Sequence, residues 1–253
     1  MNPIISQWLD DLQNAMAFLT RLPVPSRAGL TSSGLARAYR AFPLIGALIG
    51  AVIACADLLL LRAGLSPMPA AALALGAGML LTGAIHEDGL SDVADGFGGG
   101  RDKAGKLEIM RDSRLGTFGA LSLLVAFAVK VGTLAVLPRS DILLDMIVIH
   151  ALSRAPLAVI AARMAYARDD GLAVAAGQPD ARTAVASCFM AAVIALLCLP
   201  FGAAIRAMLV VAAASFCLAV LAQRQIGGQT GDVLGAAEQV GEVALLALLS
   251  TQA

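Results

Sequence analysis

A chain of 253 residues that is 59% hydrophobic and only 14% charged, with mean hydropathy +0.82, has too little charge to solvate the surface of a soluble domain. Its zero formal net charge and pI near 6.7 exclude the electrostatic footprint of a nucleic-acid-binding protein. The apolar runs are rich in Ala and Leu and far too long for barrel strands, which leaves an all-α, polytopic membrane helix bundle.

In chain order, residues 1–41 form an N-terminal segment that is cytoplasmic or interfacial. Ile4, Ile5, Trp8, Leu12, Met16 and Leu19 recur at helical spacing. They predict an amphipathic helix, either lying on the membrane with Trp8 at headgroup depth or packed as an ordinary core helix. Asp10 and Asp11 interrupt the pattern, and without a basic n-region no signal peptide is expected. A crossing needs about 20 apolar residues. The expected spans are 42–62, 68–85, 116–137, 142–162, 184–201, 204–222 and 233–250, seven in all.

Basic residues orient them. Arg21, Arg27, Arg37 and Arg40 precede the first span, and Arg101, Lys103, Lys106, Arg111 and Arg114 follow the second. Arg163, Arg168 and Arg182 follow the fourth and Arg224 the sixth, against only Arg62, Arg139 and Arg206 on the other side. The N-terminus and the loops near 86–115, 163–182 and 223–232 are therefore expected in the cytoplasm. Seven spans leave the C-terminus outside, in a tail without Lys or Arg. No linker or internal repeat divides the chain, so 1–253 reads as one domain. Cys55, Cys188, Cys198 and Cys217 sit in apolar runs without CxxC spacing and read as small packing residues rather than zinc ligands or disulfides.

The chemistry concentrates in 86–115, an acidic and glycine-rich segment read as a cytoplasmic active-site loop. It opens with His86-Glu87-Asp88-Gly89-Leu90-Ser91-Asp92-Val93-Ala94-Asp95-Gly96, directly off a span, where carboxylates are expensive. If the helix continues, Asp88, Asp92 and Asp95 fall within about 60° of one another on one face. Their mutual repulsion calls for a divalent cation, and oxygen-only ligands favour Mg²⁺, Mn²⁺ or Ca²⁺ over zinc. A solvated acidic helix end is the plainer alternative. His86 is either a proton shuttle or a hydrogen-bonded interface histidine. Gly96-Phe97-Gly98-Gly99-Gly100 is unlike a packed helix; it can cradle a phosphate, hinge a lid or simply be a flexible loop. Beyond it, Arg111 and Arg114 flank Asp112 and Ser113, as a phosphate clamp or as positive-inside anchors.

Lys130 and Arg154 lie within spans, so both should face the bundle interior and find acidic partners, whether they bind substrate phosphate or neutralise buried carboxylates. In the last segment Asp232 opens the final helix, as an N-cap or as a metal ligand opposite the first acidic face. Glu238 and Glu242 lie deeper and need partners.

The 86–96 stretch, the 108–119 segment ending in Gly116-Thr117-Phe118-Gly119, and the 227–242 segment together resemble the adenosylcobinamide-GDP ribazoletransferase (cobalamin synthase) family. So do Phe18-Leu19-Thr20-Arg21-Leu22-Pro23-Val24-Pro25 and Phe42-Pro43-Leu44-Ile45-Gly46, and the likeness runs over nearly the whole chain in the same order. One departure is Arg111, where the family pattern usually has lysine; the charge is kept but phosphate is held differently. The resemblance implies a Mg²⁺-dependent enzyme of the bacterial cytoplasmic membrane that joins adenosylcobinamide-GDP to α-ribazole, or its 5′-phosphate, and releases GMP. It implies Asp88, Asp92, Asp95 and Asp232 as metal ligands, Asp92 or Asp95 as base, and Arg111 and Arg114 on the transferred phosphoryl group. Gly98, Gly99, Ser113, Lys130 and Arg154 are the expected substrate contacts. A homo-oligomer or a complex with other cobalamin-assembly enzymes fits the large apolar surface. A CDP-alcohol phosphotransferase is the rival of like chemistry, but Asp88-Gly89 is followed by Leu90-Ser91 and that family's closing aspartate pattern is missing. A secondary transporter is the rival of another class; it predicts paired repeats and broken helices.

Overall fold

The computed structural model describes residues 3–24 and 31–250, so Pro25 and Arg27 of the opening motif and charge pattern, and the side chain of Ile4, lie outside the described residues. The chain folds as α1 (Pro3–Leu19), α2 (Ser32–Ala38), a 3₁₀ turn (Tyr39–Ala41), α3 (Phe42–Arg62), α4 (Pro67–Thr82), α5 (Ile85–Gly99) and α6 (Lys103–Ile109). There follow α7 (Thr117–Val136), α8 (Ile142–Arg163), α9 (Leu172–Ala176), α10 (Ala181–Cys198), α11 (Phe201–Ile226) and α12 (Gly231–Ser250). The only β pairing among the described residues is an isolated bridge between Tyr166 and Gln229.

Among the described residues six helices are long and apolar enough to cross a membrane, namely α3 (with the short helices before it), α7, α8, α10, α11 and α12, or seven if the bent pair α4–α5 is one span, the number expected. The bundle is therefore polytopic. α8 is its central helix, buried nearly throughout, and α3 packs against it so closely that a Cβ at Gly46 or Gly50 would strike the carbonyls of His150 and Met146. At the opposite side of the bundle Phe189, Leu197, Phe201, Leu209 and Phe216 of α10 and α11 face outward, as expected of a lipid-facing surface.

The second expected span differs from its prediction. α4 stops at Thr82, and the chain turns by 92° into α5. The turn is made by two consecutive residues in the left-handed region, Gly83 (φ 70°) and Ala84 (φ 56°). A non-glycine residue there costs about 1–2 kcal/mol, so the elbow is held by its surroundings and not by local preference. α4 is the apolar arm of this pair; α5, with its run of carboxylates, is the arm that leaves the span direction. The 86–115 segment is accordingly two helices rather than a loop, because its glycines pack. A Cβ at Gly98 would come within 2.7 Å of Phe118, and at Gly96 within 3.0 Å of the Lys106 carbonyl.

α1 docks on α2 and α3 through Ala15 and Leu19. Asp11, which breaks the apolar pattern in the sequence, points inward: it is fully buried, Arg37 donates to it at 2.7 Å, and Arg40 pairs with its other oxygen while stacking 4.0 Å over Trp8. The connections after α2, α4, α6, α8 and α11 gather at one end of the bundle. Gln229 exchanges backbone bonds with Ala165 and Ala167, and Lys106 reaches Gln225. At the other end Arg139 pairs with one oxygen of Asp57, a buried carboxylate within α3, at 3.1 Å.

Candidate active site

The acidic face is assembled where α5 crosses α12. The crossing is a contact between glycines: a Cβ at Gly89 would lie 2.7 Å from the Asp232 carbonyl, and one at Gly235 would lie 3.2 Å from the His86 Cα. With no side chains between them, the two backbones approach closely and Asp88 and Asp92 come beside Asp232. The electrostatics report the result. Burial, and then the charges of Asp88, Asp232 and Asp95, push the Asp92 carboxyl up to about 7, with Arg168 pulling the other way. Half-buried Asp92 sits at the centre of an unresolved like-charge conflict.

Arg168, on the connection between α8 and α9, is a functional candidate that spacing alone did not single out. Its Nη2 donates to Asp232 Oδ2 at 3.1 Å, and its buried Nη1 has no hydrogen-bond partner among the described residues. The signal was present in the alternating charges of Arg168-Asp169-Asp170, but only the fold carries that connection to α12. Asp232 also accepts from Thr230 Oγ1 at 3.1 Å, and it is Thr230 whose hydroxyl accepts from the Val233 amide, so Asp232 is not the helix cap.

Asp95 is placed differently from its neighbours. Its two carboxylate oxygens accept from the Gly116 and Gly119 amides, each at 2.8 Å, at the start of α7. It anchors α7 through two otherwise orphaned donors, each of its oxygens keeping one further lone pair. This explains the glycines of the 116–119 motif, since a Cβ at either position would strike the Asp95 carboxylate.

Arg111 and Arg114 are exposed near the same end. Arg111 donates to Asp170 and Arg114 to Asp112, each at 2.5 Å, and Ser113 between them is exposed. Neither arginine pairs with an aspartate of the acidic face. Gly98 and Gly99 form the exposed last turn of α5, so the glycine run is helical there and not a loop.

Lys130 and Arg154 are buried as expected, but their partners are the glutamates of α12 and not the aspartates of the acidic face. Lys130 Nζ lies 2.5 Å from Glu242 and 2.8 Å from Gln239 Oε1. Arg154 Nη1 lies 2.7 Å from Glu238 and donates to the His150 carbonyl at 2.9 Å. His150 Nδ1 lies 2.5 Å from Glu242, and His86 Nδ1 3.7 Å from Glu238. Among the described residues only His150, Glu238 and Glu242 bring ligand-type atoms within 4.8 Å of one another. Both glutamates are already neutralised by cations, so this group is a closed internal network.

The acidic face fits a divalent cation better. Its oxygens are hard donors, Asp88 is exposed, Asp92 is driven towards protonation by burial and then by its acidic neighbours, and the donors are spread more widely than in the closed network. That spacing suits an ion that keeps water and shares its coordination with substrate phosphates. Asp88, Asp92 and Asp232 fit such an ion, while Asp95 already gives one lone pair of each oxygen to the amides of α7.

A model of the cobalamin-5-phosphate synthase family matches residues 11–250. An adenosylcobinamide-GDP ribazoletransferase of Bradyrhizobium diazoefficiens is 42% identical over 237 residues, covering 93% of this chain and 91% of that protein. Proteins of the same name from Mesorhizobium japonicum and Sinorhizobium medicae are 42% and 40% identical, over 96% and 97% of this chain and 94% and 98% of theirs. No solved structure matches the chain.

Proposed function

The chain belongs to the cobalamin-5-phosphate synthase family, and we propose that it joins adenosylcobinamide-GDP to α-ribazole or its 5′-phosphate, releasing GMP, at the cytoplasmic face of the bacterial inner membrane. The observation that carries the reading is the acidic face itself: three carboxylates from two helices brought together by a glycine–glycine crossing, with an arginine alongside. A diphosphate with a divalent cation is a ligand that this charge pattern would welcome. Loops rich in basic residues at the same end support the cytoplasmic placement.

In this reading Asp88, Asp92 and Asp232 hold Mg²⁺, which when bound supplies neutralisation of the diphosphate charge. The oxygen of the ribazole hydroxyl forms a bond to the phosphorus that carries the corrinoid. The phosphoanhydride bond to GMP breaks, and the electron pair leaves with GMP. Asp92, half-buried between Asp88 and Asp232, takes the proton released by the hydroxyl. Asp95 is set aside as base because both its oxygens already hold backbone amides. Arg168 has a free Nη1 for a phosphate oxygen and keeps Asp232 in place through Nη2. Arg111 and Arg114 exchange their surface carboxylate partners for phosphate as substrate arrives. Lys130 and Arg154 support α12 from beneath without touching substrate.

The test is GMP release by detergent-purified protein given adenosylcobinamide-GDP, with and without α-ribazole phosphate and with and without Mg²⁺. Release that needs both the acceptor and the metal is expected. Release without acceptor, or unchanged by chelation, overturns the reading.

A further inference from the structure

A cavity of about 670 Å³ opens on the elbow between α4 and α5. Asp88 and Ser91 form one wall, Phe18 and Leu115 another, and Thr20 and Arg21 close it from the chain that leaves α1. Whatever sits there touches the acidic face directly through Asp88. Arg21 is the one cation of its lining, among carboxylates that include Glu87.

Arg21 is exposed, and its backbone is tied to this place. Its amide donates to the Leu81 carbonyl at 2.7 Å, and its side chain lies over Gly83, where a Cβ would collide with Nε. Gly83 is thus required twice, for its positive φ and for the room it leaves. Arg21 has no ion-pair partner among the described residues, as is true of several other surface arginines such as Arg62, Arg101 and Arg182; what sets it apart is its place in this lining. As the one cation of a lining that also holds Glu87 and Asp88, Arg21 offers the cavity's single charge contact for an anionic group of a ligand. A ligand with a phosphate at Arg21, an apolar ring system against Phe18 and Leu115, and a hydroxyl towards Asp88 matches these four residues of the lining.

We propose that this cavity seats the nucleoside acceptor and that Arg21 binds its phosphate, so that the phosphorylated acceptor is preferred and its attacking hydroxyl is turned towards the acidic face. The proposal rests on the transferase reading above. The same cation chemistry would also take a phospholipid headgroup, and the experiment separates the two.

Wild type, Arg21→Gln and Arg21→Lys are assayed for GMP release in phosphatidylcholine vesicles with saturating adenosylcobinamide-GDP. α-Ribazole and α-ribazole 5′-phosphate are compared as acceptors, and the series is repeated with phosphatidylglycerol added. Arg21→Gln should raise KM for the phosphorylated acceptor about tenfold or more, the effect of losing a charge-assisted bond. KM for α-ribazole should stay within about twofold, and Arg21→Lys should recover part of the loss. An equal rise with both acceptors, no rise with either, or an effect confined to phosphatidylglycerol vesicles overturns the assignment, the last pointing to lipid. If wild type releases no GMP, the transferase reading fails instead. Equilibrium dialysis of α-ribazole 5′-phosphate then decides the Arg21 site: tighter retention by wild type than by Arg21→Gln supports it, and equal retention overturns it.

Discussion

Two charged regions share helix α12 and differ in one respect. At its start Asp232 meets Asp88 and Asp92 with only Arg168 to offset them. Roughly 9 Å further along the axis, Glu238 and Glu242 are matched by Arg154, Lys130 and His150. Both regions are acidic, and by composition alone they look alike. The deeper one has settled its charges internally and holds four helices in register, while the outer one is left in conflict at an accessible face. Charge that a fold satisfies by itself is structural, and charge left unsatisfied beside a cavity is available for a ligand.

The comparison can be broken by removing one partner from each region. Glu242→Gln leaves Lys130 buried without its carboxylate, and breaking such a pair costs about 3–5 kcal/mol. The expected outcome is a large loss of thermal stability in detergent; an unchanged melting temperature would show that the deep network is not structural. Asp92→Asn should do the reverse, keeping or improving stability by relieving repulsion while turnover falls at least about a hundredfold. Near-normal turnover in that variant removes Asp92 from the chemistry.

Two smaller effects sharpen the boundary between the regions. Asp95→Ala deprives the Gly116 and Gly119 amides of their acceptor, and a destabilisation of about 2 kcal/mol is expected in chemical unfolding. Mg²⁺ affinity, read by titration calorimetry, should change far less than in Asp92→Asn; an equal loss would return Asp95 to the ligand set. Gly98→Ala is the mildest change. Its Cβ presses on Phe118, which is exposed and free to move, and alanine improves helix propensity, so stability should shift by about 1 kcal/mol or less. GMP release should stay within about threefold, whereas a loss of tenfold or more would revive a phosphate-cradling role for the glycine run.

Much of this was legible in the sequence. The apolar runs marked the spans to within a few residues, because a helix that crosses lipid must satisfy its own backbone and be apolar along its length. The acidic spacing marked the site, and the expense of burying a cation foretold that Lys130 and Arg154 would have acidic partners. The elbow was not legible. Gly83 permits a left-handed residue, but nothing local demands one at Ala84, and the 92° turn exists because α5 packs across α12. That packing rests on Gly89 against Gly235, and their separation of well over a hundred residues hides the pairing from any local pattern.

Local physics therefore determined which segments are helices, which of them suit a membrane, and that 86–96 carries carboxylates too costly to be incidental. Tertiary structure alone decided how those carboxylates divide: Asp95 to the amides of α7, and Asp88 and Asp92 to an open face shared with Asp232. It also brought Arg168 and Arg21 to that face from distant connections. The reason is physical, since a carboxylate's role depends on which donors and charges lie within a few ångströms of it, and only the packed bundle fixes those neighbours.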